Sequence, residues 1–138
     1  MLQLISIMTP ANRSRLSLIL TLSLSLLLLH LTALKLHLYW TTWWMDIINH
    51  FLGGAIFALI FYTALPSVGK EKRSLSFWAL FTLVLAVGTL WEVFELSFGL
   101  TFVTQHQYLF DTILDLVMDM TGMIVAYRYF ISAKQQVQ

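Results

Sequence analysis

Glu92 and Glu95 stand as E-x-x-E, and Asp111, Asp115 and Asp119 as D-x-x-x-D-x-x-x-D, within the stretch WEVFELSFGLTFVTQHQYLFDTILDLVMDMTG from Trp91 to Gly122. Apart from these acids the stretch is largely Trp, Phe, Leu, Val and Met. Upstream, the run MDIINHF adds Asp46, Asn49 and His50. Carboxylates and an imidazole in apolar surroundings can exchange protons, act as a general base, or hold a divalent cation. Spacing decides which of them can meet. On a helix, residues at i, i+4 and i+8 share a face, so Asp111, Asp115 and Asp119 form one stripe, which Gly122 continues. Glu92 and Glu95 form a second, with Gly88 one turn earlier. Asp46, Asn49, His50 and Gly53 form a third. Small residues let membrane helices approach closely, so the three stripes are expected to face one another.

This places His50, Glu92 and Asp115 as candidate catalytic groups. Asp46, His50, Glu92, Glu95, Asp115 and Asp119 are candidate metal ligands. Asn49, Asp111, Gly53, Gly88 and Gly122 would support the site by helix packing. A simpler reading exists for two of the acids: Asp46 and Asp111 open helices, where a carboxylate caps free N–H groups and complements the macrodipole. It does not serve Glu92 and Glu95, near a helix C-terminus, or Asp119, deep in an apolar run. A charged Asp at the bilayer centre costs about 2.5–3.5 kcal/mol even on the lenient insertion scale. Nearby cations are scarce: Lys35, His37 and His106 sit at the rim, with His50 among the acids. Crowded carboxylates must hold protons, pair with cations or bind metal. An oxygen-rich set with one imidazole suits Mg²⁺, Mn²⁺, Ca²⁺ or Zn²⁺. His30 reads as a hydrogen-bonded packing residue, and Trp40, Trp43 and Trp44 as an interfacial anchor.

The elements that must carry these groups are membrane helices. The chain is 59% hydrophobic, with mean hydropathy +0.79, against about 45–50% apolar in soluble domains. Four runs approach the roughly 20 residues that cross a bilayer: about 16–34, 47–66, 75–98 and 108–131. The expected fold is an all-α integral membrane protein with four transmembrane helices. Residues 1–15 form an N-terminal segment and 133–138 a tail. Arg13, Arg15, Lys70, Lys72, Arg73, Arg128 and Lys134 fall on one side of this arrangement, and only Lys35 on the other. By the positive-inside rule both termini are cytoplasmic. Every acid except Glu71 then lies in the outer half of the membrane. A basic start before an apolar run also describes a signal peptide, but the run is long for one and no A-x-A site follows it. The chain has no cysteine, which excludes disulfides and thiolate chemistry. No basic stripe points to nucleic acid. The bilayer is the expected partner; a second copy or another membrane protein is left open.

The motifs resemble those of the VanZ-like superfamily of small bacterial membrane proteins, and more closely its uncharacterised YjdF-type inner-membrane relatives. Asp46, His50 and Phe51 match an Asp followed by His-Phe at the start of a span. Glu92 matches the glutamate of E-x-x-Q, with Glu95 in place of the glutamine. Asp115 and Gly122 match D-x-x-x-N-x-x-G, with Asp119 replacing the asparagine. The W-E-x-x-E and D-x-x-x-D forms are those of the YjdF-type relatives. The resemblance spans about Asp46 to Tyr129. It implies a bacterial cytoplasmic-membrane location and a conserved-type site rather than a reaction. The expected function is a divalent-cation-dependent site acting on an envelope lipid or phosphate-bearing substrate. Proton- or cation-coupled transport and a non-catalytic assembly role stay open beside it.

Overall fold

A computed structural model of the chain describes residues 10–65, 75–99 and 108–135. His106, the loop bearing Lys70, Glu71, Lys72 and Arg73, residues 1–9 and the last three residues lie outside the described residues. The described chain is all helical: α1 Pro10–Lys35, α2 Leu38–Thr41, α3 Trp44–Ala64, α4 Phe77–Phe98 and α5 Tyr108–Gln135.

Local chemistry sets the helix ends. Ser76 caps α4, its Oγ accepting from the Ala79 N–H at 3.2 Å, the usual satisfaction of a free N-terminal donor. Gly99 ends α4 in the left-handed conformation, φ 65°, where an added Cβ would be strained. Between α1 and α2 the turn falls on His37, φ 56°, whose carbonyl accepts from Thr41 Oγ1 at 3.3 Å. The single turn of α2 lies in a segment whose sequence reads only as a loop with an aromatic belt.

Three helices are long and apolar enough to cross a membrane: the Arg13–Lys35 part of α1, α3 and α4. At 28 residues, α5 extends about 42 Å, but Asp111, Asp115 and Asp119 interrupt its apolar run. Large apolar side chains point outward on every long helix, among them Leu20, Leu24, Trp78, Leu90, Phe110 and Val117. Four exposed hydroxyls on α4 and α5 are satisfied within their own helix. Thr82, Thr89, Ser97 and Thr121 each donate to the carbonyl four residues back, at 2.6–3.0 Å. A hydrocarbon surround demands that arrangement.

The bundle is organised around α3 and α5, which share the largest interface; α1 packs on α3, and α4 mainly on α5. The α3 and α5 helices run parallel: His50 meets Asp115, Gly54 meets Asp119, and Phe51 meets Gly122. The α4 helix runs against them, pairing Glu92 with Thr112 at one end and Phe77 with Tyr127 at the other. At the α3–α5 crossing, backbone meets backbone. A Cβ on Gly54 would coincide with the Asp119 carbonyl, and one on Gly122 with the Phe51 carbonyl. On one side of this crossing lies an apolar core of Ile19, Ala55, Ala58, Leu59, Leu80, Val84, Met123 and Ala126. On the other side lie the acids.

These glycines are not equivalent. Gly54→Ala and Gly122→Ala should each force α3 and α5 apart and cost about 1–3 kcal/mol, the usual penalty of overpacking. At Gly53 the nearest atom to an added Cβ is 3.9 Å away. Gly53→Ala should therefore be neutral or stabilising by up to about 1 kcal/mol through helix propensity. Thermal unfolding of the three variants in detergent distinguishes them; equal losses would refute the close crossing.

Candidate functional site

His50 sits on the α3 face that meets α4 and α5, one turn before the Gly54 crossing. Carboxylates surround its ring. From Nε2, Asp46 Oδ1 is 3.8 Å away, Glu92 Oε1 4.0 Å and Asp115 Oδ2 4.0 Å. From Nδ1, Asp119 Oδ2 is 3.4 Å away. His50, Glu92 and Asp119 are each 6% exposed and Asp115 2%; Asp46 is half-buried at the open end. Three helices thus supply one group: Asp46 and His50 from α3, Glu92 from α4, and Asp115 and Asp119 from α5.

The surroundings hold some of these groups and leave others free. Thr112 Oγ1 donates to Glu92 Oε2 at 2.8 Å, orienting that carboxylate. Its other oxygen, Oε1, is buried and has no hydrogen-bond partner among the described residues. Asp119 is seated between Gly53 and Gly88: a Cβ on Gly53 would lie 3.9 Å from its Oδ1, and one on Gly88 would run into its Oδ2. Asp46, His50 and Asp115 each present a ligand atom, and the three atoms lie within 4.8 Å of one another. A small adjustment would bring them around a single ion.

Two acids of the expected set stand apart. Glu95 accepts from the indole Nε1 of Trp91, on its own helix, at 2.8 Å. Asp111 is exposed in the first turn of α5, one turn before Asp115. Asn49 faces α2 rather than the acids. Its Nδ2 donates to Tyr39 Oη at 2.5 Å, and Tyr39 Oη also meets His30 Nδ1 at 2.7 Å. His30 is therefore a hydrogen-bonded packing residue whose partner is Tyr39. The Asn49 Oδ1 is buried without a partner among the described residues.

Tyr39 and Thr112 are contributors that sequence spacing does not reveal. Tyr39 belongs to the aromatic-rich segment between spans and is brought to Asn49 by the turn through α2. Thr112 neighbours Asp111 but falls on the α4 side of its helix. No periodic signal marks either.

Charge is the outstanding property of the group. All the salt bridges that reach Asp46, Glu92, Asp115 and Asp119 among the described residues come from His50. One imidazolium cannot balance four carboxylates. Like charges this close resolve by taking up protons or a cation.

At the edge of the site the same field acts on Tyr39. Burial, then the carboxylates of Asp46 and Glu95, push its phenol up to about 12 from 10.0. Tyr39 therefore stays a neutral phenol, accepting from Asn49 and hydrogen-bonded with His30 Nδ1. A raised folded pKa favours the neutral phenol. Its contribution to stability is complete below about pH 10 and is lost as pH rises through about 12. Ultraviolet titration of the protein against a Tyr39→Phe variant should show one phenolate, assigned to Tyr39, appearing about two units late. A Tyr39 that ionises near 10 would contradict the network.

No curated protein matches the chain, and no solved structure does. The match that exists is to a family model described as "Predicted membrane protein (DUF2238)", which covers residues 1–136. That span takes in every helix and every site residue described above. The chain belongs to this family of membrane proteins, DUF2238.

Proposed function

We propose that the chain is a four-span protein of the bacterial cytoplasmic membrane, with both termini in the cytoplasm. Its acid–imidazole site opens to the outside, holds a divalent cation, and uses it to bind a phosphate-bearing component of the cell envelope. The observation that carries the reading is the buried Oε1 of Glu92, without a hydrogen-bond partner among the described residues and 4.0 Å from His50 Nε2. A buried acceptor with no donor is costly, and a bound cation removes that cost. The ligand atoms of Asp46 and Asp115, together with His50 Nε2, complete a set of three oxygens and one nitrogen. One imidazole among carboxylates suits Mn²⁺ or Zn²⁺ better than Mg²⁺ or Ca²⁺.

The cation also explains how an acidic pocket could receive an anion. Four carboxylates alone repel phosphate; a divalent ion among them gives it a counter-charge. Within that site Asp46 is the half-buried residue at the mouth, and Asp115 and Glu92 form the walls. The apolar core below Asp119, with Leu80, Val84, Leu59 and Met123, supports a closed site over a conducting path. The inside excess of Lys and Arg supports the orientation. The likeness of the Asp46-to-Phe51 and Glu92 motifs to VanZ-like proteins supports an envelope setting.

The cation is testable directly. Purified protein should retain about one divalent ion by elemental analysis. Added Mn²⁺ at a hundredfold excess over its Kd should stabilise it by about 2.7 kcal/mol. Glu92→Gln and Asp115→Asn should abolish that stabilisation. A protein that binds no divalent ion, or variants stabilised as much as the parent, would overturn the metal reading. In the first case an uncharged buried network for assembly is the better account; in the second the ion sits elsewhere.

Orientation has its own test. The chain lacks cysteine, so single replacements are clean probes. In intact cells Thr42→Cys should react with a membrane-impermeant maleimide, and Glu71→Cys only after permeabilisation. The reverse pattern would invert the topology.

A further inference from the structure

We propose that Asp119 is not a ligand of the cation but a positioning residue, acting from behind His50 to aim its Nε2 at the ion. The inference deepens the metal reading above and rests on it. Its basis is the division of acids around the imidazole. Asp46, Glu92 and Asp115 face Nε2, whereas Asp119 alone faces Nδ1, with Oδ2 at 3.4 Å. The two ring nitrogens point in diverging directions, so an ion held at Nε2 is turned away from the Asp119 carboxylate. A neutral histidine carries its proton on one nitrogen only. A carboxylate at Nδ1 draws the proton there and leaves the Nε2 lone pair for the metal, the arrangement by which carboxylates orient and strengthen metal-bound histidines.

The seat of Asp119 supports the same role. Gly54 and Gly122 are filled by backbone atoms of the opposing helix and serve the crossing. Gly88 differs. The space its Cβ would occupy is taken by the Asp119 carboxylate itself, with a Leu116 methyl 3.1 Å from the same point. Gly88 therefore makes a notch for a functional group rather than for a helix. Gly53 borders the other carboxylate oxygen, and Gly54 fixes the Asp119 backbone. A carboxylate wedged between two helices from three sides is held for orientation. To reach the Nε2 side it would have to leave the notch.

The test uses the full-length protein in nanodiscs, with ¹⁵N-labelled histidine and Mn²⁺ affinity read by electron paramagnetic resonance. Replacing the other histidines one at a time assigns the His50 signals. Unreplaced His50 should show its proton on Nδ1. Asp119→Leu removes the acceptor while keeping the branched side-chain skeleton. It should give a mixed tautomer and raise the Mn²⁺ Kd about 10–100-fold, the usual effect of losing such a partner, while one ion still binds. Asp119→Asn keeps an oxygen that can accept from Nδ1–H and should recover most of the affinity and the tautomer. Gly88→Ala, which fills the notch without touching any ligand, should behave as Asp119→Leu; if it does not fold, the two Asp119 variants decide alone. Loss of binding in Asp119→Leu as complete as in Asp115→Asn would make Asp119 a ligand and overturn the proposal. An unchanged tautomer in Asp119→Leu would also overturn it. The tautomer is read without metal as well, at a pH raised until the imidazole is neutral. A parent protein that binds no Mn²⁺ therefore fails the metal reading, while the spectrum still decides whether Asp119 orients His50.

Discussion

The backbone contact between α3 and α5 is the constraint from which the rest follows. Gly54 and Gly122 each leave room for a carbonyl of the opposing helix, so the two axes cross with no side chain between them. In a bilayer this is a main source of helix affinity, because lipid supplies no hydrophobic drive toward association. The crossing also sets the register. With Gly54 against Asp119 and Gly122 against Phe51, His50 is fixed at the level between Asp115 and Asp119. Neither acid could be placed there by a looser packing, and α4 then closes the third side with Glu92.

That geometry concentrates the buried acids at one end of the bundle. There the His50 imidazole meets four carboxylates, while the core on the far side of the crossing is built of Leu, Ile, Val, Ala and Met. Among the described residues the His50 imidazole is the group that reaches all four acids, through its two nitrogens. The second polar group, His30–Tyr39–Asn49, lies beside the first and joins α1 and α2 to α3. It ties the segment nearest Asp46 to α3 by side-chain hydrogen bonds.

The helices and the convergence of their polar stripes are legible in the sequence for a physical reason. An i, i+4 spacing commits side chains to one face, and an apolar run that long has few fates other than a helix. Asp46, His50, Glu92, Asp115 and Asp119 could therefore be grouped before any coordinates. What spacing does not contain is the direction of a side chain within the group. It does not separate Asp119 at Nδ1 from Asp115 at Nε2. Nor does it reveal that Glu95, one turn from Glu92, is turned to Trp91. Tyr39 was invisible for a different reason: its partners lie across turns, where periodicity carries no information. The glycines were legible as small residues but not by what fills their space, backbone at Gly54 and Gly122, a carboxylate at Gly88.

The acids of α5 also bear on how the protein is made. During synthesis α1, α3 and α4 have the apolar length to enter the bilayer on their own account. Under the four-span reading proposed above the last helix differs: its acids interrupt the apolar run, and a charged Asp carried into lipid costs up to about 2.5–3.5 kcal/mol. Its lodging depends on a surface that already exists, the glycine face of α3 with His50 above it and the Gly88 notch of α4. The order of the chain supplies that surface before α5 emerges. On that reading, the feature that makes the site chemically unusual also makes α5 dependent on the helices before it for insertion.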